Sequence, residues 1–281
     1  MNPATFQFLA GIVKQRSGGV LTADQDYMLD TRLAPLLKRE GMASLDALAM
    51  RLRTPGADKL AQEMTELLTT NESHFFRDGK PFDHLKELLP GLHRARPPGV
   101  PIRIWSAACS TGQEAYSIAM LLAEAQEVGA ADLKARRFEI IGTDLTTAVL
   151  DRAREAVFTQ FEVQRGLPVR QLMKHFTQIE GRWKAKDHLR AYTRFQQANL
   201  LTDLRSFGRF DVIFCRNVLI YFDMPTKSRV LGGLAAQLVP DGALYLGAAE
   251  TALGITDRLE PILGQRAVYR PATAEPVRAR A

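Results

Sequence analysis

The sequence predicts an α/β fold: a mostly parallel sheet with helices on both faces, a small all-helical domain ahead of it and a small β-subdomain inserted within it. Three observations lead there. Residues 1–70 carry helical periodicity and caps but no strand signal. From Ile102 onward, short apolar runs alternate with helical patterns, the signature of parallel strands joined by crossover helices. Residues 157–193 break that alternation with short alternating runs near Trp183 and Leu189, which suit a short helix and a small antiparallel sheet.

Composition sets the bounds. A chain of 281 residues is long enough for one large or two modest domains, and 46% hydrophobic content supports a sizeable core. No apolar run approaches the roughly 20 residues of a membrane helix, and no basic region leads into an apolar signal segment. Cys109 and Cys215 lie too far apart for a zinc set and make no disulfide framework. A soluble, cytoplasmic protein is expected. The net charge of +6 and pI of about 9.4 suit an acidic partner, either nucleic acid or an acidic protein surface.

Taken in order, Asn2-Pro3 opens the first helix and Gly18-Gly19 closes it. Thr22 to Gln25 fits a capping box, and the second helix should run to Gly41, kinked or shortened by Pro35. Ser44 caps a third helix ending near Thr54-Pro55-Gly56, and Asp58–Leu68 reads as a fourth. Arg32 and Arg39 share a stripe of the second helix, either a solvated face or a docking surface for an acidic helix. Thr69–Asp78 (TTNESHFFRD) has no helical period, and its two phenylalanines should pack on something. Pro81–Leu89 reads as a short helix, Arg94–Pro101 as a stiff linker, and residues 71–101 together as a motif-bearing link.

The stretch Ile102–Met120 (IRIWSAACSTGQEAYSIAM) is a strand, a turn of small residues and a helix. A second strand, Phe138–Thr143, ends in Asp144 and is followed by a helix near 147–156. Arg194–Ala198 leads into Asn199-Leu200, and Phe210–Cys215 ends in Arg216-Asn217. Pro225–Leu238 is helical, Ala243–Gly247 is a strand, and Ile262–Tyr269 holds an antiparallel hairpin turning at Gly264-Gln265. The domain should span 102–271, with 272–281 as a disordered tail.

Ligands of open α/β sheets bind at the carboxyl ends of the strands, and the polar residues there are Cys109–Glu114, Asp144, Asn199 and Arg216-Asn217. A carboxylate at the end of strand two, one strand–helix unit beyond the turn, suits both hydroxyls of a ribose; the plainer role for Asp144 is a helix N-cap. NAD fits the same geometry, but its pyrophosphate wants a glycine-richer turn. S-adenosylmethionine, without phosphate, tolerates Ala-Ala-Cys-Ser-Thr. Both cysteines read as small buried residues, since neither has an evident histidine partner.

Over roughly residues 5–270 the sequence resembles the CheR-type chemotaxis receptor methyltransferases, in TTNESHFFRD, RIWSAACSTGQEAYSIAM, IIGTDL, QQANLL, FDVIFCRNVLIYFD and LYLGAAET, in family order. The resemblance implies a Rossmann-like S-adenosylmethionine-dependent methyltransferase sheet with a helical N-terminal domain and an inserted β-subdomain. It implies methylation of glutamates on the cytoplasmic helical domain of membrane-bound receptors, with S-adenosylhomocysteine as product, no nucleic-acid partner and no membrane insertion. The protein would be cytoplasmic and recruited to receptor arrays. Asn71, Ser73, Arg77, Glu114, Asp144, Asn199, Leu200, Arg216 and Asn217 fall where the family contacts its cofactor, and Arg77 and Tyr221 where it places groups near the methyl-transfer centre. Phe75, Phe76 and Tyr221 would line a partly apolar pocket, while His74 has no catalytic task. Two departures stand out. Pro35 and Leu36 occupy places where arginines are expected on the second helix, and the insert is compact between Phe176 and Phe195, so a tether for a receptor's C-terminal peptide is not expected. The competing functions are a methyltransferase for RNA or small molecules and a cofactor-binding module without chemistry. The Cys-Arg-Asn-Val-Leu-Ile-Tyr run argues against the first, and Arg77 with Tyr221 against the second.

Overall fold

The computed structural model describes residues 2–272; beyond Ala272 the expected disordered tail lies outside the described residues. The described chain forms two compact units, residues 2–71 with Tyr221–Lys227, and Glu72–Ile220 with residues 228–272.

The first unit is helical. Asn2 caps α1 (Pro3–Ser17) by accepting from the Ala4 N–H at 2.9 Å, and Gly18, with φ of 80°, ends it. The Thr22/Gln25 capping box starts a 3-10 turn that runs into α2 (Asp26–Arg39). Pro35 neither ends nor shortens α2, contrary to expectation. Leu29, Leu33 and Leu36 bury on both sides of it, and burial at about 1.5–3 kcal/mol per side chain offsets a helix-interior proline's cost of about 3 kcal/mol. Ser44 caps α3 (Leu45–Leu52), and α4 (Asp58–Leu68) completes a core of Leu9, Val13, Leu33, Leu48 and Met64. The arginine stripe of α2 is occupied internally. Arg32 donates to the carbonyls of Leu68 and Thr69, and Arg39 pairs with Glu40 and Glu63.

The second unit begins with residues 72–78, the greater part of the TTNESHFFRD segment, and α5 (Lys80–Ala95), which runs past the expected end at Leu89 and through Pro90. Leu85, Leu89 and Leu92 bury on one face, so the apolar stripe carries the helix on, and the connection to the sheet shrinks to Arg96–Pro101. Then follow β1 (Ile102–Ala107), α6 (Gln113–Glu127), β2 (Phe138–Asp144) and α7 (Thr147–Glu155). The insert holds β3 (Val157–Phe158), α8 (Gln160–Gln164), α9 (Val169–His175), β4 (Phe176–Ile179), β5 (Arg182–Ala185) and α10 (Asp187–Arg190), three short helices rather than one. The chain returns through β6 (Thr193–Gln197), β7 (Phe210–Cys215), α11 (Met224–Gln237), β8 (Leu238–Leu246), β9 (Leu259–Pro261) and β10 (Val268–Pro271). The expected closing hairpin is shifted: its first strand precedes Ile262, and β10 pairs with both β9 and β8 antiparallel.

The large sheet has the order β6-β2-β1-β7-β8-β10-β9, and the insert forms a separate sheet, β3-β5-β4. The first five strands of that order are parallel. Strand order reverses between β1 and β7, the switch point where open α/β sheets hold ligands. Register makes the rim level, because Ala107 stands opposite Thr143 on one side and Cys215 on the other. No helix among the described residues is long and apolar enough to cross a membrane.

The insert also grips the motif segment. Phe75 is fully buried, edge-on to Phe158 at 5.0 Å and to Phe176 at 5.7 Å between ring centroids. It is therefore a packing residue and not the pocket wall expected from the sequence; Phe76 packs on Phe82. Gly166 lies so close that a Cβ would stand 2.0 Å from the Phe75 carbonyl oxygen, at a φ of +84° that L side chains avoid. Gly166→Ala should cost at least about 1–3 kcal/mol and lower the melting temperature by several degrees. An unchanged calorimetric melt would show that the contact relaxes freely.

Candidate functional site

The rim between β1 and β7 is built from backbone strain and one buried ion network. After β1 the chain turns through Ala108 (φ 58°), Ser110 (φ 51°) and Gly112 (φ 94°). Two left-handed non-glycine residues in so short a turn are sparsely populated states, held only where surroundings over-determine them. The surroundings here are the end of β2. The Thr143 carbonyl accepts from the Cys109 N–H at 2.9 Å, and the Asp144 carboxylate accepts from the N–H groups of Ser110 (2.9 Å) and Thr146 (3.0 Å). Asp144 thus fastens the turn, and the Ala198 N–H donates to its backbone carbonyl, bringing Asn199 alongside. Asn199 folds the next turn by accepting from the Leu201 N–H at 3.0 Å; Leu200 is half-buried within it.

Arg216 follows β7, and its side chain is 2% exposed. Its Nη1 donates to Glu114 Oε2 at 3.1 Å, and its Nη2 to the Arg77 carbonyl at 2.7 Å and to Asp78 Oδ2 at 2.6 Å. Ser106 Oγ donates to the other Glu114 oxygen at 2.7 Å. One guanidinium therefore joins the end of β7, the first turn of α6 and the TTNESHFFRD segment. That segment is strained too, with positive φ at Phe76 and Asp78, and it is tied to α6 where the Phe76 N–H donates to Ser117 Oγ at 2.9 Å. Arg77 and Ser73 are half-buried, and neither side chain takes a hydrogen-bond or ion-pair partner among the described residues. His74 lies between them with its Nδ1 buried and unpaired. Burial first, then the Arg77 charge, pushes its pKa below the usual histidine value.

Asn217 is left-handed (φ 59°) and is held by a residue that the sequence reading did not single out. Glu250, 8% exposed, accepts from the N–H groups of Asn217 (2.9 Å), Gly247 (2.6 Å) and Ile220 (3.2 Å). A Cβ on Gly247 would meet Glu250 and Asn217 within 2.9 Å, so the approach requires glycine. The Glu250 signal was its place in the LYLGAAET motif, just past a strand end. Asn71 and Tyr221 belong to the helical unit, where the Tyr221 carbonyl accepts from the Val20 N–H at 2.8 Å. Cys109 and Cys215 are buried, and desolvation holds both thiols well above their ordinary pKa, so they stay protonated packing residues.

Arg216 Nε and Asn217 Oδ1 are buried without partners among the described residues, one donor and one acceptor able to meet a ligand that carries both an acceptor and a donor. The Asp144 carboxylate stands at the end of β2, with both oxygens accepting backbone N–H groups.

Comparison with known proteins agrees with this layout. A family model described as "CheR methyltransferase, SAM binding domain" matches residues 71–268, and one described as "CheR methyltransferase, all-alpha domain" matches residues 4–69. Chemotaxis protein methyltransferase 1 of Pseudomonas aeruginosa is 36% identical over 261 residues, covering 92% of this chain and 94% of that protein. Chemotaxis protein methyltransferase 1 of Vibrio cholerae is 37% identical over 252 residues, covering 89% and 90%. The chemotaxis protein methyltransferase of Borreliella burgdorferi is 32% identical over 251 residues, covering 88% and 87%.

If Glu250 braces the rim, Glu250→Gln, which faces an N–H cluster with an amide donor, should cost about 1–3 kcal/mol of stability. It should also weaken binding of S-adenosylhomocysteine. A variant with wild-type melting and wild-type affinity would remove Glu250 from the site's support.

Proposed function

Because this chain belongs to the CheR methyltransferase family, we propose that it transfers a methyl group from S-adenosylmethionine to glutamate carboxylates of chemotaxis receptors, leaving glutamyl methyl esters and S-adenosylhomocysteine. The observation that carries the reading is the level rim flanking the β1/β7 switch point, where Asp144 ends β2 and Arg216-Asn217 follow β7. In this reading the cofactor is held by Asn71, Ser73, Arg77, Glu114, Asp144, Asn199, Leu200, Arg216 and Asn217, with Arg77 and Tyr221 nearest the transfer.

S-adenosylmethionine supplies a methyl group activated on a sulfonium. The acceptor needs no activation: a glutamate carboxylate has a pKa of about 4.3 and is ionised at neutral pH. With the acceptor already ionised, His74 has no proton to remove. What the protein contributes is orientation and exclusion of water. The two arginines divide this work. Arg216 spends its Nη atoms on Glu114, Asp78 and the Arg77 carbonyl, which fixes its place in the site and leaves its buried Nε for the cofactor. Arg77 keeps a guanidinium without carboxylate partners among the described residues, so it can grip an incoming carboxylate with two parallel N–H bonds, which a lysine cannot copy. Bringing opposite charges together in a partly apolar setting favours the transition state, in which those charges cancel. Tyr221, 37% exposed, presents a hydroxyl for the acceptor or the sulfonium neighbourhood.

Acting on receptors, the protein works in the cytoplasm at the helical cytoplasmic domains of membrane-bound receptors. The decisive assay incubates it with labelled S-adenosylmethionine and receptor-enriched membranes, then tests for alkali-labile label, because carboxyl esters hydrolyse in base. Labelling that resists base, or none on receptor bands, would overturn the reading. Arg77→Ala should lower receptor methylation about 10- to 100-fold with little change in melting temperature; equal activity would take Arg77 out of the site. Asp144→Ala should weaken S-adenosylmethionine about tenfold or more by calorimetry, and an unchanged affinity would count against the ribose role.

A further inference from the structure

At the opposite end of the same sheet, where β1 and β2 begin, the last turn of α5, the connection after Arg96 and the residues just before β2 line a half-open cavity of about 600 Å³. Its lining includes His93, Arg94, Arg96, Arg136 and Arg137 and no carboxylate. The four guanidiniums are neutralised unequally. Arg96 pairs with Asp211 and, at 2.9 and 2.7 Å, with both oxygens of Asp241. Arg136 is 8% exposed and spends all five N–H donors on neutral acceptors. These are His93 Nδ1 (2.9 Å) and the carbonyls of Pro97 (2.9 Å), Val100 (3.0 Å), His93 (3.0 Å) and Arg96 (3.2 Å). Its hydrogen bonding is complete, yet its charge is uncancelled, because no carboxylate pairs with it among the described residues. Arg94 and Arg137 are exposed and have no carboxylate partner among the described residues either.

A buried cation without a counter-ion is costly, and such a charge is ordinarily balanced by an anion. We propose that this cavity is a second ligand site, for a small phosphate-bearing anion of up to nucleotide size. The volume lies within the range of small-molecule pockets. Arg136, clamped by backbone carbonyls, supplies a fixed positive field focused by low-dielectric walls. Arg94 and Arg137 have planar forks free to take phosphate oxygens in pairs. Pro98, Gly99 and Ala135 add apolar or bare surface beside the charges, suited to the face of a base or sugar. β1 spans six residues, so the site stands about 20 Å from the catalytic rim, and the two ligands do not compete.

The test is calorimetric titration of the full chain, saturated with S-adenosylhomocysteine, at physiological ionic strength, with pyrophosphate, ADP and adenosine as probes. Saturable binding of ADP or pyrophosphate, millimolar or tighter, and none of adenosine is expected. Binding of both anions assigns recognition to phosphate alone, and binding of ADP only assigns it to a nucleotide. The double variant Arg94→Glu, Arg137→Glu, changed only at exposed positions, should weaken that binding about tenfold or more while S-adenosylhomocysteine affinity stays unchanged. No saturable uptake of either anion, uptake only without S-adenosylhomocysteine, or equal affinity in the double variant would overturn the proposal.

Discussion

Arg216 leaves the end of β7 with its guanidinium sealed from solvent, and three separate stretches of chain take their position from it. Breaking such a pair by removing one partner costs about 3–5 kcal/mol, because the remaining charge is left buried and uncompensated. The arrangement is therefore all or none. With Glu114, Asp78 and the Arg77 carbonyl in place, the first turn of α6 and the TTNESHFFRD segment are locked to the sheet. The neighbouring guanidinium of Arg77 is then presented with its donors unspent. The two arginines differ in their partners: Arg216 is bound to carboxylates, and the Arg77 side chain has none among the described residues.

Around that network the rim collects unfavourable backbone. Ala108, Ser110, Asn217, Phe76 and Asp78 all hold positive φ without being glycine. Each state is sustained by a specific acceptor or donor: Asp144 for the turn after β1, Glu250 for the turn after β7, Ser117 Oγ for the motif segment. Preorganisation of this kind suits a transfer reaction between two groups that are already charged and need only to be aligned.

Much of this was legible in the chain, for physical reasons. Strands buried on both faces read as continuous apolar runs, so Ile102–Ala107 and Phe210–Cys215 were readable to the residue. Polar residues that end such runs must stand on one rim, which is how Asp144, Arg216 and Asn217 were placed there. Glu250 was missed because its partners are backbone N–H groups, which no residue type announces. The length of α5 and the tolerance of α2 for Pro35 were missed because a proline inside a helical pattern says nothing of the apolar stripe that continues past it. Phe75 was recognised as needing a partner, but the sequence does not say that the partner is the aromatic pair Phe158 and Phe176. The linker Arg94–Pro101 hid a helix end and the wall of a cavity.

The close fit of Gly166 beneath the Phe75 carbonyl has a consequence for how such enzymes diversify. An inserted subdomain looks like a cassette that evolution or an engineer swaps at will to change what the enzyme recognises. Here the cassette is keyed to its host: a replacement lacking a bare α-carbon at that spot, or lacking rings to clasp the phenylalanine, would push the motif loop out of place. New inserts must therefore be inherited together with the loop they hold, and this couples the insert to the rim beside that loop.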